Sequence, residues 1–162
     1  MQLRASLPNE IDRLTALSVA AFENDVTVGS PLAGGPPEYD SPAWHRQMQQ
    51  EGHLFTVLAG DAIVGGMLLF ADERAPDVLY VGRIFVDPAS FRQGVGAFAM
   101  RAAEALYPQT RVLRLDTPVW NVRTNAFYHK LGYREMRRDQ ESIFYEKETE
   151  RRVTVQPVLS KN

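Results

Sequence analysis

The chain has 162 residues, 44% hydrophobic and 23% charged, with a formal net charge of −2 and no cysteine. That length and balance fit one globular domain with its own buried core. They exclude disulfides, thiolate metal sites and a cysteine nucleophile, and neither sign of charge is in excess enough to point to a nucleic-acid or membrane partner. MQLRASLPNEIDRL lacks the apolar core of a signal peptide, and no stretch approaches the roughly 18 apolar residues of a membrane span. The expectation is a soluble, cytoplasmic protein.

MQLRAS predicts a short first strand. PNEIDRLTALSVAAFEN spaces Ile11, Leu14, Leu17, Ala21 and Phe22 at three- and four-residue steps, as an amphipathic helix does. Residues 23–40 hold three glycines and three prolines with little periodicity and read as a loop. A second helix follows in SPAWHRQMQQEG, with Ser41 as N-cap, Pro42 at the first helical position and Gly52 as the stop. HLFTVLAG and AIVGGMLLF flank Gly60-Asp61 and predict a hairpin; Gly65-Gly66 within it marks a bulge or a close backbone approach.

DVLYVGRIFVD is nearly continuous in apolar residues, which predicts a central strand buried on both faces. The helix of residues 94–107 comes next, with Val95, Phe98, Ala102, Ala105 and Leu106 on its apolar stripe. RVLRLDTP alternates as a strand, and NVRTNAFYHKLG is a helix with Asn121 as N-cap and Gly132 just past its end. YREMRRDQE and SIFYEKET predict two antiparallel strands, and Arg134, Arg137 and Arg138 a solvated strand face. The sum is a single mixed α/β (α+β) domain, its core in residues 1–150 and a tail in 151–162.

FRQGVGAFAM places two glycines at the mouth of a strong helix former. A helix start leaves its first N–H groups without intrahelical partners and carries about half a positive charge. Glycines there let the backbone curl and aim those groups at a bulky anion, preferably a pyrophosphate. Arg92 and Gln93 add a cation and an amide donor beside Gly94, Val95 and Gly96. A lone G-x-G is as well explained by a tight connection. It lacks the third glycine of a dinucleotide fingerprint and the Gly-Lys-Ser/Thr of a P-loop.

The second motif adds weight. IFVDPASFRQGVGAFAMRAAE, followed some 25 residues after its glycines by RLDTPVWNVRTNAFYHKLGYRE, resembles the acetyl-CoA-binding half of the GNAT superfamily of N-acyltransferases. The family pattern N-x-x-x-x-x-F-Y-x-K-x-G-Y/F falls on Asn121, Phe127, Tyr128, Lys130, Gly132 and Tyr133, and the order of elements agrees over residues 1–149. The resemblance implies a mixed, mostly antiparallel sheet of about six or seven strands, with about four helices on both faces. It implies that the glycine turn holds the coenzyme A pyrophosphate and that Tyr128 stands by the sulfur as general acid. A main-chain N–H among Ile84, Phe85 and Val86, exposed by a bulge near Arg83–Phe85, would bind the thioester carbonyl. Asn121 would bind the pantetheine, cap its helix, or do both. One departure is visible: the leading polar residue of the family's turn is Phe91 here.

Acetyl transfer to an amine needs a neutral amine. A lysine-like amine of pKa about 10.4 is neutral only about once in 2,500 molecules at pH 7, a penalty near 4.6 kcal/mol, so a base or a water chain leading to one matters. Many relatives offer a glutamate on the central strand, but VLYVGRIFV between Asp77 and Asp87 has no carboxylate. Glu23, Asp25, Glu38, Asp40, His45 and His53 remain as candidates through water, while His129 reads as a solvated surface residue. The histidines show no metal-ligand spacing, so no metal is expected. In the family the helix–loop–helix region that includes the second helix covers the acceptor. Here it carries Glu23, Asp25, Glu38 and Asp40, with Tyr39 and Trp44, and no Lys or Arg lies between Arg13 and Arg46. Such a lid would suit a cationic amine, or its charges are simply solvated.

The expected activity is transfer of an acetyl group from acetyl-CoA to a primary amine of a small molecule or peptide. The alternatives are a regulatory domain that holds coenzyme A without turnover, a longer acyl group, or an oxygen acceptor. The apolar VTVQPVL of the tail suggests pairing across a homodimer.

Overall fold

The computed structural model describes residues 1–149. Its strands are β1 (Gln2–Ala5), β2 (Leu54–Ala59), β3 (Ala62–Asp72), β4 (Ala75–Val86), β5 (Val112–Pro118), β6 (Arg134–Arg138) and β7 (Ser142–Glu148). Its helices are α1 (Ile11–Glu23), α2 (Pro42–Gln50), α3 (Val95–Leu106) and α4 (Val122–Lys130). The strands form one seven-stranded sheet in the order β1-β2-β3-β4-β5-β7-β6, so the mixed α/β architecture is as expected. Every pairing is antiparallel except β4 with β5. That exception arises because α3 returns the chain to the starting edge before β5, the crossover a parallel pair requires. The tail and its suggested dimer contact lie outside the described residues. Among the described residues no helix is long and apolar enough to cross a membrane.

Each face of the sheet carries a helix pair. Ile11, Leu14, Leu17 and Ala21 of α1 and Met48 of α2 pack on Leu54, Leu68 and Phe85. On the other face Val95, Ala99, Met100 and Ala103 of α3 and Tyr128 of α4 pack on Val57, Met67, Leu79, Val81, Leu113 and Leu115. The stripe on α3 differs from the predicted one. Phe98 and Ala102 pack at its edge, but Ala105 and Leu106 are exposed, and Ala99 and Ala103 replace them in the core at 0% exposure. Alanines lie all round this helix, so their positions do not mark its inner face; the sheet selects the side where small residues permit the closest approach.

The reading of β4 as buried on both faces is also corrected. Only Leu79, Val81 and Phe85 are buried in it. The pairing jumps from Leu68↔Arg83 to Leu69↔Val81, leaving Gly82 as an extra residue, a β-bulge. The side-chain alternation reverses there. Leu79 and Val81 face α3 before the bulge, as Ile84 and Val86 do after it, while Phe85 turns to α1. A phase reversal inside a half-buried strand produces the same unbroken apolar run as burial on both faces. The bulge sits at Gly82, immediately before the Arg83–Phe85 segment where the sequence placed it.

Candidate active site

β4 and β5 are bonded over only three residue pairs, from Val78↔Val112 to Tyr80↔Arg114. Beyond Tyr80 they part, and a cleft of about 1900 Å3 opens between their C-terminal ends. The ladder bond from Asp87 N–H to the Val64 carbonyl, 2.8 Å, fixes which groups of β4 face it. By the alternation of an antiparallel ladder, Phe85 directs its main-chain groups at β3, and Ile84 and Val86 direct theirs away from β3, toward the gap. The Phe85 ring is buried at 2% exposure in the α1 core. Of the three predicted carbonyl-binding positions, Ile84 and Val86 therefore offer amides to the cleft.

The glycine turn forms the next wall. Gly94 is the N-cap of α3 at φ 78°, a left-handed conformation that favours glycine, and Arg92 before it also has positive φ, 63°. The first intrahelical bond runs from Phe98 N–H to the Gly94 carbonyl at 3.0 Å. The N–H groups from Gly94 to Ala97 precede it and have no helical carbonyl to reach. Gly96 has a separate reason: a β-carbon there would lie 3.2 Å from the Phe127 ring of α4. One glycine shapes the turn and the other lets two helices approach. Arg92, Gly94, Val95 and Gly96 line the cleft, whereas Gln93 does not; its amide is turned toward the Ala89 carbonyl at 3.5 Å.

Opposite the turn stands α4. Asn121 caps it, accepting from Thr124 N–H at 3.0 Å. Asn125 donates to the Pro118 carbonyl at 3.1 Å and accepts from the Tyr145 hydroxyl at 2.6 Å. These bonds tie the helix to β5 and β7 and so fix Tyr128, whose ring packs against those of Phe127, Tyr133 and Tyr145 at 5.1, 5.6 and 5.9 Å between centroids. Tyr128 is 5% exposed and lines the cleft, and its hydroxyl has no hydrogen-bond partner among the described residues. Burial, reinforced by the Asp116 charge, pushes its pKa well above the usual phenol value.

Arg123 and Asp116 were missed in the sequence. Arg123 donates to Asn24 and Asp25, each at 3.2 Å, and lies over the Phe91 ring at 4.6 Å. Phe91, the departure from the family's turn, thus seats the cation that ties the end of α1 to α4. Asp116 lines the cleft at the parting of the strands and accepts a hydrogen bond from the Tyr80 hydroxyl. Its place at the carboxyl end of a parallel strand is where α/β sheets bind ligands, a usable signal.

The suggested bases fare unequally. Asp25 lines the cleft but is paired with Arg123, and Glu23 accepts from the Tyr39 hydroxyl at 3.1 Å. Glu38 and Asp40 are exposed loop residues. His53 packs on Phe70 away from the cleft, at 4.5 Å. His45 is 0% exposed, its Nδ1–H donating to the Ser41 carbonyl at 2.8 Å and its Nε2 without a partner among the described residues. It is a core residue: its ring meets Trp44 and Phe85, and α2 turns it inward, away from any substrate. Burial lowers its pKa, so the unfolded chain takes up a proton below about pH 6.5 that the fold resists. Stability is therefore expected to fall as pH drops below that value. The urea midpoint should decline between pH 7.5 and 5.5, and the decline should shrink in His45→Gln. An undiminished decline would locate its source elsewhere.

Residues 15–133, well over half of the chain, match the acetyltransferase (GNAT) family. The chain belongs to the GNAT family. Solved structures share its fold at low identity. A GNAT-family acetyltransferase from Streptococcus agalactiae has a TM-score of 0.80 and 19% identity, covering 93% of this chain and 96% of its own. An acetyltransferase from Thermus thermophilus has 0.76 and 14%, covering 91% and 96%. The PaiA N-acetyltransferase of Thermoplasma acidophilum, solved in complex with coenzyme A, has 0.72 and 16%, covering 91% and 98%. No curated protein matches the chain in sequence. Among the described residues of this GNAT protein, no three His, Asp or Glu side chains converge as a metal site would.

Proposed function

We propose that the protein is an acetyl-CoA-dependent N-acetyltransferase in which a primary amine attacks the thioester directly. The observation that carries this is the parting of β4 from β5. Among the described residues it leaves the amides of Ile84 and Val86 without a strand partner, between the open N–H groups of α3 and the hydroxyl of Tyr128. Acetyl-CoA supplies an activated acetyl group and a thiol leaving group.

Each wall then has one task. The N–H groups from Gly94 to Ala97, with Arg92, hold the pyrophosphate through the helix-terminal field. An amide of Ile84 or Val86 donates to the thioester carbonyl, stabilising the charge that develops on its oxygen. Tyr128 donates a hydrogen bond to the departing sulfur; its raised pKa keeps it a phenol throughout the neutral range. Asp116, which has no ion-pair partner among the described residues, takes the ammonium proton directly or through water, a role closed to the salt-bridged Asp25. Asn121 serves as helix cap.

Calorimetry with coenzyme A and a thiol-release screen of primary amines test this reading. Binding of coenzyme A and thiol release with at least one amine class are the expected results. Binding without release from any amine favours the alternative, a domain that holds coenzyme A without turning it over. Absence of heat at millimolar coenzyme A overturns both.

A further inference from the structure

Arg83 follows the Gly82 bulge, and the alternation there directs it toward α1 and α2, into the half of the cleft walled by residues 21–39. Its guanidinium lies over the Trp44 ring at 4.4 Å and donates Nη2–H to the Pro37 carbonyl. Nη1 is buried and has no hydrogen-bond partner among the described residues. Glu38 is near enough to act on the charge but forms no ion pair with it. Arginine cannot shed its proton in a protein, so a half-buried guanidinium calls for an anion. The cleft's carboxylates do not answer that need: Asp25 is held by Arg123 and Asp116 by Tyr80. The aromatic face expected to greet a cationic amine is also taken, since Arg83 itself covers Trp44.

We propose that Arg83 binds a carboxylate of the acceptor, which makes the acceptor an amino acid rather than a polyamine. The inference rests on the transferase reading above. The planar guanidinium fork matches a carboxylate in a way that an ammonium does not, and the neighbouring Phe22, Pro36 and Tyr39 give an apolar wall for the rest of the molecule. Nη2 already holds the Pro37 carbonyl, so a carboxylate that takes both terminal nitrogens displaces that carbonyl and the segment carrying it lifts. Gly34 at φ 129° and Glu38 at 68° bracket this stretch.

The test titrates the coenzyme A-saturated protein with free amino acids, their carboxamides and the matching decarboxylated amines, following tryptophan fluorescence, and runs the same panel for thiol release. Amino acids should bind and turn over, with carboxamides about 30-fold poorer in kcat/KM. Arg83→Gln should cost the amino acids about the same factor, leave the carboxamides within twofold and leave coenzyme A affinity unchanged; Arg83→Lys should restore part of the preference. Equal losses for both classes in Arg83→Gln, or a preference for the decarboxylated amines, would overturn the proposal and leave Arg83 a tether for its loop. Arg83-dependent binding of amino acids with no thiol released from any amine would uphold the anion site and refute the transferase. Failure of amino acids to bind or react, while other amines release thiol, would do the reverse.

Discussion

Tyr128→Phe lowers turnover by about 100-fold while the affinity for coenzyme A stays within a factor of two. The magnitude is the low end of what a positioned proton donor contributes. The substitution isolates that contribution, because the hydroxyl has no partner among the described residues and the ring keeps its contacts with Phe127, Tyr133 and Tyr145. Little stability should be lost, so a circular-dichroism melt separates a chemical defect from a folding one. The raised phenol pKa also has a sign. Tyr128 stays protonated across the pH range where an ordinary phenol does and beyond it, so the acid limb of a rate profile is assigned to the group that accepts the amine proton. Unchanged single-turnover rates in the variant would remove Tyr128 from the reaction.

Gly65→Ala is expected to cost about 3 kcal/mol of folding stability, and coenzyme A affinity with it. An added β-carbon would stand 2.5 Å from the Phe85 carbonyl oxygen and 3.4 Å from the Val86 Cα. Both are main-chain atoms in the sheet, so no rotamer change relieves the clash; β3 and β4 must separate where Gly65 pairs with Val86. Val86 is also one of the two residues whose amides face the gap, which links the packing defect to the site. About 3 kcal/mol is a large share of the 5–15 kcal/mol that stabilises a typical domain. A urea midpoint near that of the parent protein, with coenzyme A titration unaltered, would show that the strands absorb the extra carbon.

Local chemistry was legible in the sequence wherever it was dictated by one or two residues. Gly94 sits in the left-handed turn its motif called for, Asn121 caps its helix, and Gly65-Gly66 mark a close approach. The order of elements was equally readable, because hydrophobic periodicity changes cleanly from one to the next. What depends on distant partners was not. The bulge at Gly82 disguised β4 as a doubly buried strand, and the alanines of α3 hid its inner face. His45 stood among the candidate bases until the packing of α2 placed it in the core. Asp116 was passed over within an alternating strand, and only the separation of β5 from β4 makes it part of a site. The need Arg83 leaves unmet is invisible without knowing that Trp44 and Pro37 are its neighbours.

The brief parallel seam between Val78–Tyr80 and Val112–Arg114 divides the sheet into two blades, one of β1 to β4 and one of β5 to β7, hinged at their base. A guest with amide groups of its own, laid against Ile84 and Val86, would supply the hydrogen bonds that β5 withholds and become a surrogate strand between the blades. Occupancy would then act as a splint, tightening the whole sheet by mass action rather than merely filling a void.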